Sequence, residues 1–366
     1  MLDPTQSRKR QQRLLPLLQQ RKLDAIVCGA SRHVYYFTAH WTSWLQQSAF
    51  ILFADGRSWL ASANSMDANS AADENTSYEA TLMGTQRLDQ AAAAAARACR
   101  ALTQHKARRI GIDASPVTSQ VAATLGTICQ PIDEDLFQLR RRKDPDELAT
   151  MRSAIHCCEA MYQRARQIIE PGIPEVDVFT QLNAAAIHAA GEPLSAILGN
   201  DYACGVSGGP ARADHRAAAG ELYILDLGPA VRGYFSDNAR TISVDRHPTD
   251  AQMKAHEAIV ACHDIVRKLA KPGVRCREIF SAVDDFLKQK RGSGLPHHLG
   301  HGVGLQPHEY PHLNPNWDDV LMEGEIFTAE PGQYAPELAG GIRIENQYLL
   351  TPDGVENLTP FPMEMV

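Results

Sequence analysis

The sequence predicts an α+β protein of two domains, and three observations lead there. The chain has 366 residues, more than one average domain holds. Its first part alternates short apolar strand signals with amphipathic helix signals, the pattern of a small α/β domain. Its second part runs helix, helix, strands and then helix, helix, strands again, one unit used twice without sequence identity between the copies. The basic run Arg140-Arg141-Arg142-Lys143 lies between them and reads as a solvated linker, so the expected domains are 1–139 and 140–366.

In order, Ser7 to Lys22 reads as a charged helix with Leu14, Leu15, Leu17 and Leu18 inward. Asp24 to Cys28 is a short buried strand, and Val34 to Thr38 and Ala49 to Phe53 are two more. Asp55-Gly56 is a hairpin turn into Ser58-Trp59-Leu60. Thr85 to Leu102 holds an alanine run and is a helix, and Arg109 to Asp113 is a strand. Asp144-Pro145-Asp146-Glu147 is a helix start, with an Asp cap, Pro in the first turn and Glu three residues after the cap. That helix runs through Ile168 to a stop at Pro171-Gly172, and a second spans Pro174 to Gly191. Glu221 to Val244 is a β-hairpin with Pro229 and Gly233 at its turn. Thr249 to Lys271, ended by Pro272-Gly273, and Arg277 to Lys290 are the helices of the second copy.

Composition excludes several classes. With 44% hydrophobic and 22% charged residues the chain is that of a globular protein. A net charge of −7 without a long basic run argues against nucleic acid as a partner. No stretch approaches membrane-spanning length, and the charged N-terminus is no signal peptide. Eight scattered cysteines without a CxxC pair fit reduced thiols and a cytoplasmic home.

The chemistry gathers in the second part. Asp226 ends the first arm of the hairpin and Asp237 lies in the second, 237 − 226 = 11 residues apart, so the ladder can set them side by side. Neighbouring carboxylates repel unless a cation or proton sits between them, and hard divalent cations take oxygen ligands. Downstream, His297, His298, His301, His308 and His312 crowd into PHHLGHGVGLQPHEYPH. Glu330 (IFTAE) and Glu345 (GIRIE) each lie in apolar strand context, where an unpaired carboxylate is costly. Arg343, two residues before Glu345 on the same strand face, could be its partner.

With LDLG, GYFSDNART, HHLGHGVGLQPHE, TAEPG and RIEN in this order, the whole chain resembles the pita-bread metallopeptidases. The N-terminal α/β domain followed by RRRKDPDELATMRSA is similar to the Xaa-Pro aminopeptidase, prolidase and creatinase branch. The resemblance implies a creatinase-like N-terminal domain and a pita-bread catalytic domain. It implies two divalent metal ions held by Asp226, Asp237, His301, Glu330 and Glu345, with Asp237 and Glu345 bridging. The ions would be Mn²⁺ first, with Co²⁺, Zn²⁺ or Fe²⁺ as alternatives. Four carboxylates balance two M²⁺ ions, and such a pair activates a bridging hydroxide and polarises a carbonyl. His308 resembles the histidine that meets the scissile amide, His297 one that lines the substrate pocket, and Arg343 would orient carboxylates. A small peptide substrate and a homodimer follow from the same resemblance.

Two departures stand out. RIEN replaces the frequent RIED, which leaves the ligand Glu345 intact. The region CGVSGGPARADHRAAAGE is shortened where the branch carries a histidine about seventeen residues before the first metal aspartate. Here 226 − 17 = 209, which is Gly209, and the nearest histidine is His215, the candidate replacement. The leading expectation is hydrolysis of Xaa-Pro peptide bonds. The second is a metal-dependent lyase or hydrolase of a small metabolite on the same fold. A metal-free amidinohydrolase and a non-catalytic binding module fit less well, because no ligand is missing.

Overall fold

Asp3 starts the first helix: its carboxylate accepts from the Thr5 amide at 2.8 Å and Pro4 follows, so α1 spans Pro4–Arg21. The structure, a computed structural model, describes residues 1–42, 45–84 and 87–366. It folds as two units, Met1–Arg140 and Arg141–Val366.

In the first unit α1 is followed by β1 (Ala25–Cys28), α2 (Ser31–Thr38), β2 (Ala49–Phe53), β3 (Ser58–Ala63) and β4 (Glu74–Tyr78). Then come α3 (Asp89–Gln104), β5 (Arg109–Ile112), α4 (Pro116–Leu125), β6 (Ile128–Pro131) and α5 (Asp133–Arg140). Among the described residues the strands form one mixed sheet, in the order β4-β3-β2-β1-β5-β6. The alanines of α3, Ala91, Ala94, Ala95 and Ala98, pack flat against Val27, Ile51 and Phe53 of that sheet. The expected start of this helix, Thr85, lies outside the described residues. Asp55-Gly56 does turn β2 into β3, with Gly56 at φ 89°.

One expectation fails in this unit. Val34 to Thr38 is part of helix α2, not a strand. Both edges of β1 are taken, by β2 and β5, so the segment between β1 and β2 finds no ladder to join. It buries Val34, Tyr35, Tyr36 and Phe37 as a helix instead. A short apolar run does not reveal its period.

The second unit opens on α6 (Pro145–Ile168), where the capping box read from the sequence is present: the Asp144 amide donates to Glu147 Oε2 at 2.9 Å. Next come α7 (Glu175–Ala190), β7 (Ala196–Asp201), β8 (Leu222–Val231), β9 (Tyr234–Phe235) and β10 (Asn238–Ser243). The second copy has α8 (Asp250–Leu269), α9 (Cys276–Arg291), β11 (Gly300–Gly302), β12 (Glu309–Leu313) and β13 (Ile326–Ala329). It ends with β14 (Gly332–Ala335), β15 (Gly340–Arg343), β16 (Asn346–Thr351) and β17 (Gly354–Asn357). The first copy's sheet runs β10-β8-β7, and the second's runs β12-β11-β13-β16-β17, with β14 and β15 paired apart. Ile259, Cys262 and Val266 of α8 and Ile279, Val283 and Leu287 of α9 share one core with Phe327, Ile342 and Tyr348. Among the described residues no helix is long and apolar enough to cross a membrane.

Candidate metal centre

Strand β8 is longer than its apolar start suggested. It continues through Pro229 to Val231, and the hairpin turns at Arg232 and Gly233, at φ 48° and 84°. Asp226 therefore lies mid-strand, with Ala239 as its Cα partner, and Asp237 lies just outside β10. The two aspartates are neighbours in space but not directly opposed. On its other edge Asp226 faces Asp201, the last residue of β7.

The structure gathers Asp226, Asp237, His301, Glu330, Glu345, His297, His308 and Arg343 around one cavity of about 240 Å³, together with Asp201 and His298. His301 Nδ1 lies 2.9 Å from the Gly302 carbonyl, which can only accept, so the proton sits there. Its Nε2 lone pair then points at Glu330 Oε1, 3.4 Å away, and Asp237 Oδ2, 3.8 Å away. Atoms of Asp237, His301 and Glu345 come close enough to share an ion. His308, in the loop before β12, stacks on His301 with centroids 3.7 Å apart.

Arg343 is where the pairing differs from expectation. Its Nη2 donates to Asp226 Oδ2 at 2.9 Å and also to Asp201, not to Glu345. Strand β15 ends at Arg343 and β16 begins at Asn346, so Arg343 and Glu345 do not alternate along one strand. Arg343 Nη1 donates to the Tyr334 hydroxyl at 2.9 Å, and that hydroxyl reaches His297 Nε2 at 3.0 Å. Both oxygens of Glu345 are buried and lack a hydrogen-bond partner among the described residues. Its backbone is pinned, with the amide donating to Ala239 O at 2.9 Å and the carbonyl accepting from Asn238 and Arg240.

The acidities follow from this geometry. Burial and then the neighbouring carboxylates Asp226 and Glu330 push Asp237 well above the usual carboxylate range. Burial and Asp237 do the same to Glu345. Burial raises Asp226 to about 6 against the pull of Arg343. Burial also acts on Glu330, but the hydrogen bond from His298, at 3.0 Å, overcomes it and holds its carboxyl low. Burial, with His301 beside it, lowers His308 to about 4, so it is neutral at neutral pH.

Asp201 and Arg343 cancel, leaving Asp226, Asp237, Glu330 and Glu345 as four carboxylates in a largely buried cavity. A buried carboxylate with both oxygens unpartnered is expensive, and divalent cations are the partners that an oxygen-rich set with one imidazole takes. The donor set therefore fits divalent metal.

The candidate His215 is not in this cavity. Its Nε2 lies 3.4 Å from Glu221 Oε2 and 3.9 Å from Glu175 Oε1, in the loop between β7 and β8. The loop brings Gly208 and Gly209 onto Asp201 instead. The Gly209 amide donates to Asp201 Oδ1, and a Cβ on Gly208 would lie 2.6 Å from that oxygen. Sequence reasoning missed Asp201, Tyr334 and the link from His298 to Glu330. The strand ending in Asp201, ILGND, carries no motif. Only the register of β7 against β8 gives it a place.

The profile of metallopeptidase family M24 matches residues 149–352. The putative dipeptidase YkvY of Bacillus subtilis is 30% identical over 248 residues, 67% of this chain and 67% of that protein. The Xaa-Pro dipeptidase of Pyrococcus furiosus is 32% identical over 238 residues, 64% of this chain and 68% of that protein. Among solved structures, the prolidase of Pyrococcus horikoshii superposes with a TM-score of 0.82 at 22% identity, covering 98% of this chain and all of that one. The X-Pro aminopeptidase of Thermotoga maritima superposes at 0.79 with 23% identity, over 97% of this chain and 98% of that one. At such identities the superpositions speak for the fold, the two-domain pita-bread architecture. The profile match spans more than half of the chain and includes every residue around the cavity, and the chain belongs to metallopeptidase family M24.

Proposed function

We propose that this peptidase hydrolyses Xaa-Pro bonds of short peptides with two divalent metal ions, Mn²⁺ first, held by Asp226, Asp237, His301, Glu330 and Glu345. The observation that carries the reading is Glu345, a buried carboxylate with no hydrogen-bond partner for either oxygen among the described residues, set among three other carboxylates. Two cations, when bound, supply an activated water and polarise the scissile carbonyl.

The chain's own residues do the rest. Asp237 and Glu345, the most deeply buried of the four carboxylates, would hold both ions. Arg343 fixes Asp226 and, through Tyr334, the face of His297 turned to the cavity. His308 lies at the cavity edge and is neutral, so it can donate a hydrogen bond to the substrate without adding charge. An adjoining cleft of about 450 Å³ shares His297 and His298 and is lined by Phe280, Leu295, Pro296 and Trp317 together with Asn314 and Asn316, a part-apolar seat for a substrate ring or side chain. The small main cavity suits a short peptide. A cytoplasmic setting belongs to the reading, supported by eight free cysteines, and so does the homodimer that the family resemblance implies.

One observation favours a second reading, a metal-dependent lyase or hydrolase of a small metabolite. His215 stays out of the cavity and Gly209 lies where the resemblance calls for a histidine. Xaa-Pro dipeptides and tripeptides offered with Mn²⁺, Co²⁺ or Zn²⁺ decide between them. Turnover with two metals bound by the carboxylate cavity of each chain supports the peptidase. Two bound metals without cleavage of any Xaa-Pro peptide gives the second reading. A metal content near zero under loading conditions overturns both.

A further inference from the structure

A second group of ligand-bearing side chains lies in the loop between β7 and β8, away from the cavity. Cys204 follows β7, His215 is in mid-loop and Glu221 immediately precedes β8. One ligand atom from each lies close enough to the others to share an ion. Cys204 Sγ is 3.1 Å from Glu221 Oε2, and His215 Nε2 is 3.4 Å from the same oxygen. The His215 Nε2 atom is buried yet makes no hydrogen bond among the described residues, although its ring is 29% exposed. An imidazole nitrogen turned inward towards a thiol and a carboxylate, without a hydrogen bond to either, is placed to share a cation with them.

The backbone makes room for this arrangement. Gly205 has φ +70°, and a Cβ there would meet Glu221 Oε1 at 2.4 Å, so only glycine leaves that carboxylate its place. The neighbouring Glu175 is satisfied without a metal ion, by the Arg212 guanidinium and by the Cys204 amide at 2.7 Å. It is therefore not needed as a ligand and takes no part in the charge count.

We propose that Cys204, His215 and Glu221 form a separate, mononuclear site for a thiophilic divalent cation of the zinc class. Sulfur, nitrogen and oxygen in one set suit that ion, and the exposed edge of His215 leaves a fourth position for water. On binding, the Cys204 S–H bond breaks, its proton goes to solvent and the thiolate ligates. A thiolate and a carboxylate then neutralise M²⁺. Without the ion, burial and then Glu221 hold the thiol protonated. The ion clips the loop at three points, beginning three residues after Asp201.

The test uses cobalt, because the cavity described above contains no thiol. Cobalt-loaded wild-type protein is expected to show sulfur-to-cobalt charge-transfer absorption in the near ultraviolet. It is also expected to hold one more cation per chain than the Cys204→Ser variant, which loses the band. Zinc added to the cobalt form should erase the band. Glu221→Gln, which retains an acceptor for the thiol, and His215→Gln should each weaken cobalt binding at least about tenfold by titration, the scale on which metal sites respond to lost partners. No band in the wild type overturns the proposal, as does a band that survives Cys204→Ser. Unchanged affinity in both Glu221→Gln and His215→Gln overturns it too. None of these outcomes bears on the carboxylate cavity, whose metals are counted separately.

Discussion

Two buried clusters, one in each unit, mix aspartate, histidine and arginine and come to opposite ends. In the first unit Asp113 accepts from the Gly29 amide at 3.0 Å, the Ala30 amide at 2.9 Å and His33 Nδ1 at 2.9 Å. Burial acts to raise its pKa, but His33 and the two amides outweigh it and the carboxyl is held below its ordinary range. In the second unit Asp237 and Glu345 are as deeply buried, and their carboxyls are pushed far up. The first cluster is complete in itself. The second is four carboxylates with one guanidinium shared between Asp226 and Asp201. Buried charge alone does not mark a functional site. Buried charge left without partners does.

The largest expected effect breaks the second cluster. Asp237→Asn should remove both cations and cut hydrolysis by more than the tenfold to hundredfold that loss of a merely orienting partner costs. Elemental analysis and a rate assay check it, and a variant that retains two metals denies Asp237 its bridging role. Asp113→Ala should instead destabilise the fold by about 3 kcal/mol, because His33 and two buried amides lose their acceptor. Urea unfolding gives the loss, and metal content should not change. If that variant lost its metals as well, the two clusters would not be independent.

The same contrast predicts opposite pH dependence. Asp113 has a lowered folded pKa, so its stabilisation is present above about 3.8 and is lost as pH falls below it. Asp226 has a raised folded pKa, 3.8 moving to about 6, so the metal-free folded state binds more protons than the unfolded one in that window. Its contribution is present at low pH and is lost as pH rises through about 6. Chelator-treated protein should thus lose stability as pH rises from about 4 through about 6, and metal-loaded protein should not. Thermal melts of the two forms across that range test it. Parallel curves would contradict the reading of an unbalanced carboxylate cluster.

Much of this was legible in the sequence. The ligand candidates announce themselves because each sits in a short motif whose neighbours explain it: Asp226 in an apolar strand, His301 among glycines, Glu330 and Glu345 after apolar runs. The capping box at Asp144 is purely local and equally readable. What failed depended on register or on competition for sheet edges. Val34 to Thr38 is a helix because β1 had no free edge. Arg343 pairs with Asp226 because β15 lies against β8, which no spacing along the chain reveals. Asp201 belongs to the cavity only through its alignment with Asp226.

Asp201 sharpens the comparison at smaller scale. Its links to the ligand candidates run through Arg343 and the β7–β8 ladder, so it acts as a positioning residue. Asp201→Asn removes the charge that shares Arg343 and should lower kcat/KM about tenfold to a hundredfold while both metals stay bound. A loss confined to metal content would make Asp201 a ligand instead.

The smallest effect is expected at Asn346, where the motif departs from the frequent RIED. Arg240 is fully buried and, among the described residues, donates only to neutral acceptors, including Asn346 Oδ1 at 2.9 Å, Phe361 O at 3.1 Å and Pro362 O at 3.0 Å. Asn346→Asp would give it a carboxylate partner, a gain on the order of 1 kcal/mol for one charged hydrogen bond. The cost is on the other side of the amide. Asn346 Nδ2 lies 3.4 Å from His263 Nδ1, whose ring donates from Nε2 to Ile344 O at 3.0 Å and so keeps a lone pair on Nδ1. Burial first, and then Arg240 and Arg267, lower His263 from 6.5 to about 3. A neutral folded histidine that charges on unfolding gives stability that is complete above 6.5 and drains away as pH falls towards 3. An aspartate oxygen facing Nδ1 repels that lone pair but stabilises a proton placed on it, so His263 should titrate higher in the variant. At neutral pH the gain and the cost nearly cancel, and Asn346→Asp should shift unfolding by less than about 1 kcal/mol. Between 6.5 and 3 the variant should lose less stability than the wild type. Denaturant unfolding at several pH values measures both slopes. If the variant's acid loss is as steep as the wild type's, His263 does not feel residue 346, and the asparagine needs another explanation.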